Sequence, residues 1–258
     1  MITEFQSLPV YREFCWQFTL QQLRSRYRTS LLGFVWTFLN PLMIALVLST
    51  VFSLITNQPL RTYGVYFFAG YIPWMFFSNA TLAATSAVVG NAHYVQRIAV
   101  PNSIFPLSNF MTHLLDFGAG SVVVLAYLIA FGAGLNLALL FLPISAILFG
   151  AFVLGCCLFF AAVTVVLRDV TFLWQNASFL LFFFTPILFI LDSLPPPIQA
   201  YFALNPLTHF LRLFHEPIAY ARIPAAESIF LASLYSALSL LIGAVTFVRL
   251  RPKFYLYL

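Results

Sequence analysis

Charge is the scarcest commodity in this sequence. Of its 258 residues only 7% are Asp, Glu, Lys or Arg, against 62% that are apolar. Soluble domains carry roughly 25% charged residues. A water-soluble fold of this size could not cover its surface with so few, so the natural solvent for the chain is a bilayer. Cysteine is also rare, with three residues in all, Cys15, Cys156 and Cys157. Two are adjacent, and neighbouring cysteines rarely bridge each other. All three are expected as free thiols acting as small apolar residues, with no metal or redox centre. No phosphate-cradling G-x-x-x-x-G-K-[ST] loop is present, so the chain is not expected to hydrolyse ATP. His215-Glu216 begins like a zinc-protease helix, but Pro217 follows and Ala219 stands where the second histidine belongs. Ser, His and Asp occur in no triad spacing, and an enzyme site assembled from distant loops is a minor alternative. Met1 to Arg28 holds no apolar core followed by a small-residue cleavage site, so no removable signal peptide is expected.

What the chain has instead is long apolar runs. Six are near or above the roughly 20 residues that a spanning helix needs: 31–56, 64–89, 104–131, 141–167, 170–191 and 228–248. They do not alternate, which argues against a β-barrel, and lipid offers backbone groups no other partner, so helix is the predicted state. The fold class read from sequence is therefore all-α, a polytopic membrane protein with six transmembrane helices in a single domain over 1–258. With both termini cytoplasmic, nine of the twelve lysines and arginines fall on the cytoplasmic side. The opposite orientation breaks the positive-inside rule. The pI of about 9.3 then reflects anchors facing anionic lipid, not nucleic acid.

Three segments lie outside the runs. Residues 8–28 mix Tyr11, Phe14, Trp16 and Phe18 with Arg24, Arg26 and Arg28, which suggests an amphipathic helix lying in the cytoplasmic interface. The stretch 192–227 is too polar and Pro-rich to span, and reads as short outer helices over 195–220, dipping back toward the membrane. Between the second and third runs stands GNAHYVQRIAVPNSIFP, residues 90–106, polar and closed by prolines. Here Asn91 can cap a short helix over 91–100 that Pro101 stops. Tyr94 and Ile98 would form its apolar face, with His93, Gln96 and Arg97 supplying polarity beside them. That describes a knob suited to a groove on a partner, with a plain connecting loop as the alternative.

Two further features invite a function. His113 and Asp116 are three apart, so they share a helix face inside the third run. Ionisable residues within a span are functional candidates, here either a proton-coupled pair or a structural link between helices. In the second run, Tyr63, Phe67, Gly70 and Trp74 follow helical spacing, flanked by Tyr66 and Phe77. Such a stripe is either packing or the wall of a glycan channel, since rings stack on apolar sugar faces while their polar edges stay hydrated.

Five motifs in order resemble the permease subunits of type-2 ABC exporters. RYRTSLLGFVWTFLNPL (26–42) is similar to the family's opening, and FFAGYIPWMFFSNA (67–80) to its second-span motif. IAVPNSIFPLSNF (98–110), LRDV (167–170) and LNPLTHFLRLFHEPI (204–218) resemble the stretches that follow. The chain looks most like the polysaccharide branch, the O-antigen exporter permeases (Wzm type), with teichoic acid and capsule exporters close by. It departs at Gln96-Arg97, where that family usually has Lys-Lys or Thr-Lys. The resemblance implies a homodimer in the cytoplasmic membrane, joined by two copies of a cytoplasmic ABC ATPase that binds the ATP and Mg. It also implies a lipid-linked glycan entering laterally near the N-terminal helix, with Arg24, Arg26 and Arg28 meeting its pyrophosphate. On this resemblance 91–100 is the coupling helix. A drug exporter of the same family and a proton-coupled secondary carrier are the competing readings.

Overall fold

The computed structural model describes residues 10–27, 35–56, 58–97, 100–130, 134 and 136–257. They form ten α-helices: α1 Arg12–Tyr27, α2 Trp36–Thr56, α3 Leu60–Ala87, α4 Ala92–Arg97, α5 Ile104–Ala130, α6 Leu142–Val166, α7 Val170–Phe183, α8 Pro196–Ala203, α9 Pro206–Ala219 and α10 Ala226–Tyr257. No strand occurs among the described residues.

Four stretches are long and apolar enough to cross a bilayer: Phe38–Ile55, Ile104–Ala130, Leu137–Val166 and Ala226–Phe254. A fifth candidate is α3, when it is counted as one bent span with the segment reaching Val95 across a 46° break. These correspond to five of the six predicted spans. The run at 170–191 behaves differently. Its helix α7 has 14 residues, about 21 Å of rise, where the hydrocarbon core needs about 30 Å. Pro186 accounts for the stop, because it lacks an N–H and disfavours helix at the residue before it. The Asn205 amide then donates to Phe184 O at 2.9 Å and to Thr185 Oγ1 at 3.0 Å, closing the helix end.

Irregular backbone beside lipid needs partners, and α3 supplies them. The Tyr63 hydroxyl donates to Leu188 O at 2.6 Å. The Tyr66 hydroxyl lies within reach of two carbonyls, Phe189 O at 2.9 Å and Pro186 O at 3.1 Å. Tyr63→Phe keeps the ring and removes the donor. It should cost about 1 kcal/mol, read as a melting temperature a few degrees lower in the purified protein. An unchanged melting temperature would show that the tyrosine does not hold segment 184–190.

The core centres on α3, whose residues from Tyr63 to Trp74 are all buried. A cluster of phenylalanines surrounds it, with Phe76 against Phe110, Phe117 and Phe149, and Phe210 against Phe149 and Phe152. On one side α6 and α10 run at backbone contact. Gly155 and Gly243 face each other there, and Ser236 and Ser239 donate to Leu148 O at 2.7 Å and Phe152 O at 2.8 Å. Small residues and inter-helix hydroxyl bonds are how helices associate in lipid. A second cluster of Phe18, Val88, Val95, Phe105, Val165 and Phe254 ties α1, α4, α5, α6 and α10 together at one end of the bundle.

Helix α1 does not lie alone in an interface. Its contacts advance along α5, from Cys15 to Ser108, Gln22 to Thr112 and Arg26 to Asp116, over about three turns of α1 and about two of α5. Cys15, Phe18 and Thr19 are buried by this packing while Trp16 is exposed. Burial pushes the Cys15 thiol up, only partly offset by the Ser108 hydrogen bond, so it stays protonated.

Candidate functional site

The parallel course of α1 and α5 brings together residues 90 positions apart. An Arg26 guanidinium nitrogen donates to Asp116 Oδ2 at 2.7 Å, and His113 Nδ1 lies 3.4 Å from the same oxygen. The shared helix face predicted for His113 and Asp116 is thus present, and its partner comes from α1. A carboxylate on a spanning helix is costly without a counter-charge. The other oxygen, Asp116 Oδ1, is shielded from solvent and accepts no hydrogen bond. These groups open into a cavity of about 300 Å³ between α1, α2, α3 and α5. Trp36, Asn40, Met75, Phe76 and Asn79 are among the other residues of its wall. The site is a cleft with a cation at its rim, an anion inside and an aromatic side.

Of the predicted arginines, Arg26 therefore lines the cleft, Arg24 is exposed on α1, and Arg28 lies outside the described residues. Trp36, Asn40 and Asn79 were not among the predicted site residues. Asn79 carried a signal, being an amide inside an apolar run, and Asn40 stands before the Pro41 of the first run.

The polar stretch after α3 forms a 3-10 turn, Val89–Asn91, and then α4. Asn91 does not cap α4. Its amide donates backward to Ala87 O at 2.8 Å, satisfying the end of α3. This is a correction, and its cause is the unbroken turn, which leaves the Asn91 side chain beside the orphan carbonyls of the preceding helix. His93 is exposed. Tyr94 is half-buried, edge-on to Phe18 with ring centroids 6.1 Å apart, and Val95 is fully packed beneath it. The apolar side of α4 thus seats the knob on the bundle, leaving His93 outward. Gln96 and Arg97 continue the helix, their side chains lie outside the described residues, and so does Ile98.

The aromatic stripe is placed inside the chain. Tyr63, Tyr66, Phe67, Trp74 and Phe77 are all buried. Tyr63 and Tyr66 hold carbonyls, Phe67 stacks between Tyr63 and Tyr71, and Trp74 and Phe77 pack against Phe182 and Trp174. Within this chain these rings pack against one another and against α7. Gly70 is there for close approach, because a Cβ would come within 2.7 Å of His215 Nε2 and 3.7 Å of the Ile187 Cα.

That His215 belongs to a second polar cluster near the start of α10. Its ring stacks on Tyr66 with centroids 4.0 Å apart. Burial pushes its pKa down to about 3, opposed by a backbone hydrogen bond at Tyr66, so the ring is neutral at neutral pH. Glu216 accepts from the Ala225 N–H at 3.1 Å and faces Arg222 at 3.7 Å, which fixes the turn between α9 and α10. No group of three or more potential metal ligands occurs among the described residues.

Four or five bilayer-length helices around an aromatic core, with an ion-paired cleft at one side, define a multi-pass membrane protein. The chain belongs to the ABC-2 type transporter family, which its residues 13–218 match. It is 27% identical over 256 residues to the O-antigen export system permease protein RfbA of Myxococcus xanthus, covering 98% of each chain. A protein of the same name from Klebsiella pneumoniae is 28% identical over 199 residues, 77% of each chain. The capsule polysaccharide export inner-membrane protein CtrC of Neisseria meningitidis serogroup B is 22% identical over 215 residues, 81% of this chain and 80% of that one.

Proposed function

We propose that this chain is the transmembrane subunit of an ATP-driven exporter that carries a lipid-linked polysaccharide, O-antigen-like, across the cytoplasmic membrane. The observation that carries this is near full-length similarity to a permease named for O-antigen export, in a family of transporters. Teichoic acid or capsular polysaccharide is the alternative cargo of the same machine. The unit works as a homodimer with two copies of a cytoplasmic ABC ATPase, which hold the ATP and Mg. The end of the bundle that carries α4 and the C-terminal turn of α10 is the cytoplasmic end, in keeping with the arginines gathered there.

On this reading the cleft beside α1 is where the lipid-linked substrate is met. Arg26, with Arg24 and Arg28 nearby in sequence, offers charge-assisted donors to its pyrophosphate. Helix α4 is the coupling element. Because Tyr94 seats it and His93 faces outward, motion of a docked ATPase reaches α1, α5 and α6 through the cluster around Phe18. Tyr94→Ala with Arg97→Glu should abolish export and loosen co-purification of the ATPase, while the permease still inserts. Export at wild-type rate in that double variant would reduce the stretch to a linker.

Deletion followed by surface-glycan analysis tests the function itself. The expected result is loss of surface polysaccharide with lipid-linked glycan accumulating inside. A normal surface with no accumulation would overturn the reading.

A further inference from the structure

The cleft holds more hydrogen-bonding capacity than a phosphate site needs. Asp116 Oδ1 is shielded and accepts nothing. The exposed side-chain amides of Asn40 and Asn79 line the same cavity, and neither is hydrogen-bonded to another described residue. Trp36 stands beside them with 42% of its surface exposed. A phosphate calls for cations and N–H donors and is repelled by a carboxylate. It uses neither an indole face nor an amide carbonyl. A bare lipid tail would use none of the three polar groups. A sugar ring uses all of them, because its hydroxyls donate to Asp116 Oδ1 and exchange hydrogen bonds with both amides, while its C–H face stacks on the indole. The volume of about 300 Å³ is at the small end of ligand sites and suits one ring rather than a chain.

We infer that the cavity lined by Trp36, Asn40, Asn79 and Asp116 is a subsite for the single sugar ring next to the diphosphate of the lipid-linked substrate. This rests on the function proposed above and deepens it. Arg26 stands at the rim and contacts the anion, and Trp36, Asn40, Asn79 and Asp116 read the ring attached to it. The site would therefore select the first sugar of the glycan, whatever the length and repeat of the rest. Asp116 has two roles separated by atom: Oδ2 holds Arg26 and His113, and Oδ1 is left for the ring.

The test uses the full-length purified permease in nanodiscs and two probes, a polyprenyl diphosphate carrying one hexose and the same lipid without it. Wild type should bind the glycosylated probe about tenfold more tightly, the scale of one or two added hydrogen bonds at a partly exposed site. Asn79→Ala and Trp36→Leu should erase that preference while binding of the bare lipid changes less than about twofold. Trp36→Phe, which keeps a ring face, should retain most of the preference. Arg26→Gln should weaken both probes alike. Equal affinity of wild type for the two probes overturns the sugar subsite and leaves Arg26 as an anion contact. A wild type that binds neither probe overturns the substrate cleft as well. Equal losses for both probes in Asn79→Ala would mean that the amide shapes the cleft without reading the sugar.

Discussion

Gly243→Leu should leave almost no folded permease in the membrane. A Cβ at Gly243 would overlap the backbone of Gly155 on the facing helix, lying 2.9 Å from its carbonyl carbon and 3.1 Å from its Cα, and nearer still to its oxygen. Backbone cannot rotate away as a side-chain tip can. Helices α6 and α10 would have to part, and parting breaks the hydroxyl bonds from Ser236 and Ser239 to Leu148 and Phe152. Overpacking of this kind costs about 3 kcal/mol or more, a large share of the roughly 5–15 kcal/mol that a domain has. Gly155→Leu meets the Ser239 backbone and should behave alike. The control is Gly118→Ala in α5, where nothing lies within 4 Å. That change should hold or slightly raise stability, since alanine is the better helix former. Membrane accumulation and thermal melting of the solubilised protein read both. Wild-type melting of Gly243→Leu would mean that the two helices do not meet at these glycines.

Long apolar runs made α2, α3, α5, α6 and α10 legible from the sequence, because hydropathy over 20 residues reflects a bilayer directly. The premature end of α7 was harder to see. Pro186 is visible, but LLFFFTPILFI is so apolar that composition masks the break. What makes the break tolerable is a pair of hydroxyls 120 and more positions away, on Tyr63 and Tyr66. Their spacing marked them as a stripe, and spacing alone does not say whether a stripe faces a pore or a neighbour. The same limit applied to Asn91, whose side chain reaches back rather than forward. In the cleft, the sequence offered Arg26 as a basic residue near an interface and His113–Asp116 as an isolated pair in a span. Only the parallel docking of α1 on α5 joins them, and no local pattern encodes which two helices run side by side.

Arg26→Glu should abolish export, and a charge swap should then separate two roles of the residue. The substitution sets a carboxylate against Asp116, whose Oδ2 now lies 2.7 Å from the guanidinium. Breaking a fully buried pair costs about 3–5 kcal/mol. Arg26 is 40% exposed in its side chain, so water screens part of this and about 1–2 kcal/mol is the expected loss in stability. That leaves a protein that still folds. Its α1 would lift from α5 at the Arg26 turn, because Asp116 keeps only His113. Adding Asp116→Arg restores opposite charges across the same gap, and melting should return most of the way to wild type. Export should not return. The anion contact proposed for Arg26 needs the cation on α1 at the rim of the cleft, and the swap places it inside on α5 with a carboxylate at the mouth. Surface-glycan level and melting temperature, measured on the single and double variants together, decide the matter. Full recovery of both in the swap would reduce Arg26 to a structural tie between two helices, and recovery of stability alone would leave it as the group that meets the substrate's phosphates.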